Sequence, residues 1–157
     1  MSLKMHLARR YIPSSTKWKL VVKGVGKLYR TIYDGLEEDG GPPAKLLAEA
    51  AYKVGRDFGE TLREDFHLKD TIEDIAFAIE VDHKVFRVKA KVAEKSYRKI
   101  VYHCFECVWE KYFTPKLCIA IGQAEKGIAH ALNPKAKYHV IQTRTMGRNH
   151  CIIAIEI

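Results

Sequence analysis

"KYHVIQTRTMGRNHCIIAIEI" spans residues 137–157, and its patterning decides the fold class. Its last run sets Cys151, Ile153, Ile155 and Ile157 on one side and Ala154 and Glu156 on the other. That period of two is the signature of a half-buried strand. "GRN" at 147–149 is turn chemistry, so residues 137–146 and 150–157 read as an antiparallel hairpin. Before it, a helical stretch runs from 115 to 132, opened by Pro115 and closed by "NPK". A second hairpin precedes that helix, over residues 84–94 and 98–104. There Phe86, Val88, Ala90 and Val92 alternate with Arg87, Lys89 and Lys91.

Upstream the period changes to that of helices. Trp18, Val21, Val25, Leu28, Ile32 and Leu36 recur at helical spacing behind candidate caps Ser14, Ser15 and Thr16. "DGGPP" at 39–43 interrupts the chain, and Leu47, Ala50, Val54, Phe58 and Leu62 mark a second helix over 43–65. A third, over 70–80, carries Ile72, Ile75, Ala76 and Ile79. Helices followed by hairpin, helix and hairpin predict an α+β fold, with N-terminal helices packed on an antiparallel sheet. The expected organisation is an arm at 1–13 and one domain over 14–157, with a helical half (14–80) and a hairpin–helix–hairpin half (84–157). Gly24, Gly26, Gly55 and Gly59 fall inside the helices. Each costs about 1 kcal/mol against alanine, so the close approach of another helix or of a ligand is expected to compensate. "GVG" at 24–26 lacks the third glycine and the preceding strand of a dinucleotide site.

The formal net charge of +8 raises the question of nucleic acid. The basic residues are dispersed, however, except at 84–99, and there no aromatic residue stands among the exposed basic positions Arg87, Lys89 and Lys91 to stack a base. That stretch reads as a solvated strand face. No apolar run approaches the ~18 residues that span a bilayer. No secretory leader is visible either, and a cytoplasmic setting is expected, where the four cysteines would stay free thiols.

Those cysteines admit several readings. Cys104 and Cys107 form a CxxC beside His103, but no second pair completes a zinc knuckle and no βαβ unit supports a redox motif. Cys118 opens the 115–132 helix and Cys151 opens the last strand, with His139 and His150 near in sequence. Core packing, a tetrahedral metal site and a cysteine nucleophile all remain open. Glu106 and Glu110 read as a solvated helix face.

"CIAIGQAEKGIAHAL" (118–132) followed by "YHVIQTRTMGRNHCIIAIEI" (138–157) resembles the 4-vinyl-reductase domain family. It is also similar to that family's relatives, the L-2-amino-thiazoline-4-carboxylic acid hydrolase-like proteins and the trafficking-complex subunits that share the fold. The matching positions are Cys118, Gly122, Gly127, Gly147 and Cys151. The resemblance implies a stand-alone small-molecule-binding domain, a sensor, carrier or accessory protein, acting as a homodimer. Its hydrophobic or aromatic ligand would lie among Trp18, Tyr29, Phe58, Phe77, Tyr102 and Trp109. Some relatives hold zinc through a glutamate and three cysteines. Carried over, Cys118 and Cys151 match the outer ligands, while the middle positions fall on Thr143 and near Val140. His139 and Cys107 (or Cys104) would then complete the set. The alternative is an enzyme, a vinyl reductase or a hydrolase of a small heterocycle, using a cysteine or a Cys/His-bound metal. A binding module is preferred because the sequence offers no dinucleotide or flavin motif.

Overall fold

Pro43 and Thr71 show how local chemistry sets the helical half. In the computed structural model, which describes residues 14–38 and 42–157, α1 is Ser14–Glu38, α2 is Pro43–Phe66 and α3 is Ile72–Val85. The expected arm at 1–13 and part of the 39–43 break lie outside the described residues. Pro43 occupies the first turn of α2, where a missing N–H costs nothing. His67 ends α2 in the left-handed region (φ 54°), its N–H bonded to the Arg63 carbonyl. Thr71 caps α3 by accepting from the Asp74 N–H at 3.2 Å.

The buried stripe of α1 differs from the expected one. Val22, Gly26 and Tyr33 face inward, while Val21, Leu28 and Ile32 are 50%, 59% and 40% exposed. This helix is apolar over more than half its circumference, so spacing alone does not say which arc turns in. Gly26 selects it: a Cβ there would come within 2.6 Å of the Tyr112 ring.

In the second half, β1 is Lys89–Lys95, β2 is Lys99–Glu106, α4 is Pro115–Ile121, α5 is Gln123–Leu132, β3 is Lys137–Gln142 and β4 is Cys151–Glu156. Both expected hairpins are present with corrected limits, but the single helix expected over 115–132 is two, α4 and α5, broken at Gly122. Residues 84 and 85 belong to α3, and β1 starts only after Arg87 turns the chain at φ 52°. β3 stops at Gln142 because 144–146 winds into a 3-10 turn ended by Gly147 at φ 77°. Glu106 ends β2 and Glu110 begins a 3-10 turn, so these two share no helix.

All strands are antiparallel in the order β1-β2-β4-β3. The α+β expectation holds. Ile100, Tyr102, Cys104, Ile153 and Ile155 project from the sheet into the main core, where they meet Ile72, Ile75 and Ile79 of α3 and Ile128 and Leu132 of α5. Each large aliphatic side chain so buried contributes about 1.5–3 kcal/mol. α3 and α5 lie against the sheet, α2 packs chiefly on α5 and α4, and α1 rests on α2 and the 110–112 turn. The anticipated close approach is helix on helix. A Cβ on Gly55 would overlap the Ala124 carbonyl, and one on Gly127 the Tyr52 carbonyl.

Candidate ligand-binding site

The six aromatic residues expected to line one cavity are distributed over three places. Trp18 and Trp109 meet edge to face at 6.4 Å, and Trp109 stacks on Phe113, which in turn meets Tyr29 at 6.3 Å. These three predicted residues therefore share one cluster beside α1. Trp109 also touches Phe86, one helical turn beyond His83 on α3. Tyr102 belongs to the main core, its ring 5.3 Å from that of His83, and Phe58 packs on the same core from α2. Phe77 is outside, 38% exposed and paired with Phe66. Two open grooves, of about 550 and 440 Å³, lie elsewhere, along the outer side of α2 and α5, with His130 lining both.

The thiols come together, whereas the histidine expected among them does not. Cys104 and Cys151 stand directly opposite on β2 and β4. Cys107 and Cys118 lie near enough to Cys151 that each is shifted by it. All four are free thiols. Burial raises every one above its ordinary value, Cys118 to about 11. His139 pairs with Ala154, whose side chain projects from the face of β4 opposite to Cys151, so its imidazole points away from the sulfurs. Thr143, where a cysteine would be needed, is buried and bonded to Thr145 at 2.8 Å. Among the described residues no three His, Cys, Asp or Glu side chains are grouped to hold a metal ion. The expected set of Cys118, Cys151, His139 and Cys107 does not fit zinc in this arrangement. Arg144 closes this end of the domain. Its guanidinium donates to Glu110 at 2.6 Å and to the Phe105 carbonyl at 2.7 Å, and its backbone N–H donates to Cys151 Sγ at 3.3 Å.

A thiol held protonated is a poor nucleophile. Iodoacetamide at mildly alkaline pH is therefore expected to label the native protein at least ~10-fold more slowly than the guanidinium-unfolded chain. Mass mapping of the labelled peptides checks this, and one rapidly modified cysteine would contradict it.

A polar cluster that the sequence reading did not single out sits inside the apolar core. His83 is 4% exposed and Asp82 7%. His83 Nε2 lies 3.4 Å from Glu125 Oε1, an ionic approach outside hydrogen-bond geometry, so neither ring nitrogen has a hydrogen-bond partner. Tyr138 donates to the other Glu125 oxygen at 3.1 Å, and Tyr102 donates to the Ala76 carbonyl at 3.3 Å. Burial followed by the charge of Glu125 lifts Asp82 to about 7. Burial pulls the His83 imidazole down, but Glu125, Asp82 and Glu80 outweigh it and leave the net shift upward. The Trp18 indole N–H is a further buried donor without a partner. Buried polar groups are nearly always bonded, so such orphans call for a ligand or water.

Among the described residues no helix is long and apolar enough to cross a membrane. No family model and no curated protein matches the sequence. Solved structures do match. One is subunit 3 of a trafficking protein particle complex from Naegleria fowleri, covalently bound to palmitic acid. It has a TM-score of 0.65 at 14% identity, over 88% of this chain and 95% of that one. Another is the phenol-responsive sensory domain of the transcription activator PoxR, solved with phenol. Its TM-score is 0.60 at 17% identity, over 86% of this chain and 73% of that one. At such identities the likeness is one of fold alone.

Proposed function

We propose that the chain is a small-molecule-binding domain whose ligand is hydrophobic or aromatic and carries one hydrogen-bonding group. The observation that carries this reading is the buried His83 imidazole at the edge of the main apolar core, its Nδ1 without any partner and its Nε2 held only by a 3.4 Å ionic approach to Glu125. An apolar site with a few polar anchors is the usual design of ligand pockets. His83 would hold the polar group, with Asp82 and Glu125 setting its charge, and the Trp18–Trp109–Phe113 cluster would cover the apolar part. Two neighbours of the same fold, one with phenol and one with a fatty acid, support a site of this chemical type.

Phenol is the first probe. Its addition is expected to shift the His83 side-chain resonances saturably, and His83→Ala to weaken binding by about 10-fold or more, the loss of one hydrogen bond to a charged group. No saturable shift with phenol, alkylphenols or fatty acids would remove the reading.

A further inference from the structure

The sheet has two faces, and α3 and α5 pack on one of them. Tyr102, Cys104, Ile153 and Ile155 point into that core, so alternation turns His103, Phe105 and Ile152 to the outer side. Lys91 of β1 stands opposite His103 and shares this outer side. Its ammonium lies 6.0 Å over the Phe105 ring. His150, just before β4, completes the group. Its ring is 4.6 Å from that of His103 and 5.5 Å from that of Phe105, tilted from the latter by 32°. Arg144 holds this platform in shape, because its guanidinium donates to the carbonyls of both Phe105 and Asn149. Phe105 is nevertheless 41% exposed. The β1 cations have no stacking ring among themselves; strand pairing supplies the rings from β2 and the start of β4.

A second ring stands at the far end of the same hairpin, roughly 20 Å along β2. Tyr97 is 79% exposed, with the Arg98 guanidinium 6.0 Å over its ring. The carboxylates of these strands are matched by lysines. Glu106 is bound to Lys89 at 2.8 Å and Glu94 to Lys99 at 3.2 Å, and Glu156 sits in register between Lys99 and Lys137. Lys91, Arg98 and Arg148 are left over among the described residues. Exposed rings interleaved with surplus cations suit a partner that has both flat apolar faces and a chain of negative charges. A duplex keeps its bases stacked inside, whereas a single strand offers them.

We propose that this outer face binds single-stranded nucleic acid, its bases stacked on Phe105, His150 and Tyr97 and its phosphates met by Lys91, Arg98 and Arg148. The face lies across the sheet from His83, which packs against the inward Tyr102, so it is separate from the small-molecule site. The test is fluorescence anisotropy of the full chain with a labelled oligothymidylate of about 12 nucleotides, titrated at about 50 and about 200 mM salt. Saturable binding is expected, with a duplex of the same length and inorganic polyphosphate competing at least ~10-fold less well. Phe105→Ala is expected to weaken binding by about 10-fold, and Phe105→Tyr, which keeps a π-face, to bind as wild type does. Lys91→Ala should lower the slope of log affinity against log salt by about 0.7, the share of one phosphate contact on a single strand. Should Phe105→Ala fail to fold by circular dichroism, Tyr97→Ala on the hairpin tip decides in its place. Absence of saturable binding would overturn the proposal. So would polyphosphate competing as well as the oligonucleotide, which marks a merely cationic surface, or folded ring variants that bind as tightly as wild type.

Discussion

Gly127→Ala is expected to lower the unfolding free energy by about 2–3 kcal/mol, although alanine is the better helix former by about 1 kcal/mol. The added Cβ would run into the Tyr52 carbonyl and stand 2.7 Å from the Arg56 nitrogen. Both are backbone atoms of α2, which cannot rotate aside as a side chain would. The helices must separate, and the contacts of Gly55 with Ala124 and of Gly59 with Ala131 loosen with them. Gly122→Ala is the graded comparison. Its Cβ would lie 3.2 Å from the Cys118 carbonyl, so only a small adjustment is needed. Urea denaturation measures both, and a Gly127→Ala protein as stable as wild type would show that α2 and α5 do not meet backbone to backbone.

Raising the pH from about 5 to about 8 is expected to destabilise the protein through Asp82 and His83. Both groups bind their proton more tightly in the folded state. Their contribution is whole below the unfolded values of 3.8 for Asp82 and 6.5 for His83. It is lost as the pH climbs through the raised folded values, about 7 for Asp82. At about 1.4 kcal/mol per unit, the ceiling for Asp82 is about 4 kcal/mol. Asp82→Asn keeps the shape and removes the titration, so its melting temperature should fall less over the same interval. Equal slopes in the two proteins would mean that Asp82 is not desolvated as described.

Much of the fold was legible because the sheet and helix periods are clean. Residues 151–157 could hardly read otherwise, and Pro115 marks the start of its helix plainly. The polar heart of the site was missed for a specific reason. Ile72, Ile75, Ala76 and Ile79 announce a buried stripe, and the same spacing continues to Asp82 and His83. Ending the helix at 80 assigned that pair to the loop before 84, where two polar residues attract no notice. Extended one turn further, the pattern would have put a carboxylate and an imidazole at core positions. Glu125 and Tyr138 were harder to find, since their meeting depends on how α5 crosses β3. The convergence of the thiols followed from strand pairing, and the departure of His139 from the strict alternation of faces along β3 and β4.

The strand order carries a consequence for synthesis. β4 sits between β2 and β3, so a nascent polypeptide halted before Cys151 holds one finished hairpin whose inner rim has open amides and carbonyls. Ile100, Tyr102 and Cys104 would meanwhile lack the Ile153 and Ile155 that later cover their flank. Completion of the sheet waits on residues 151–156, and that interval on the ribosome is when this chain is most exposed to mispairing and most in need of a chaperone.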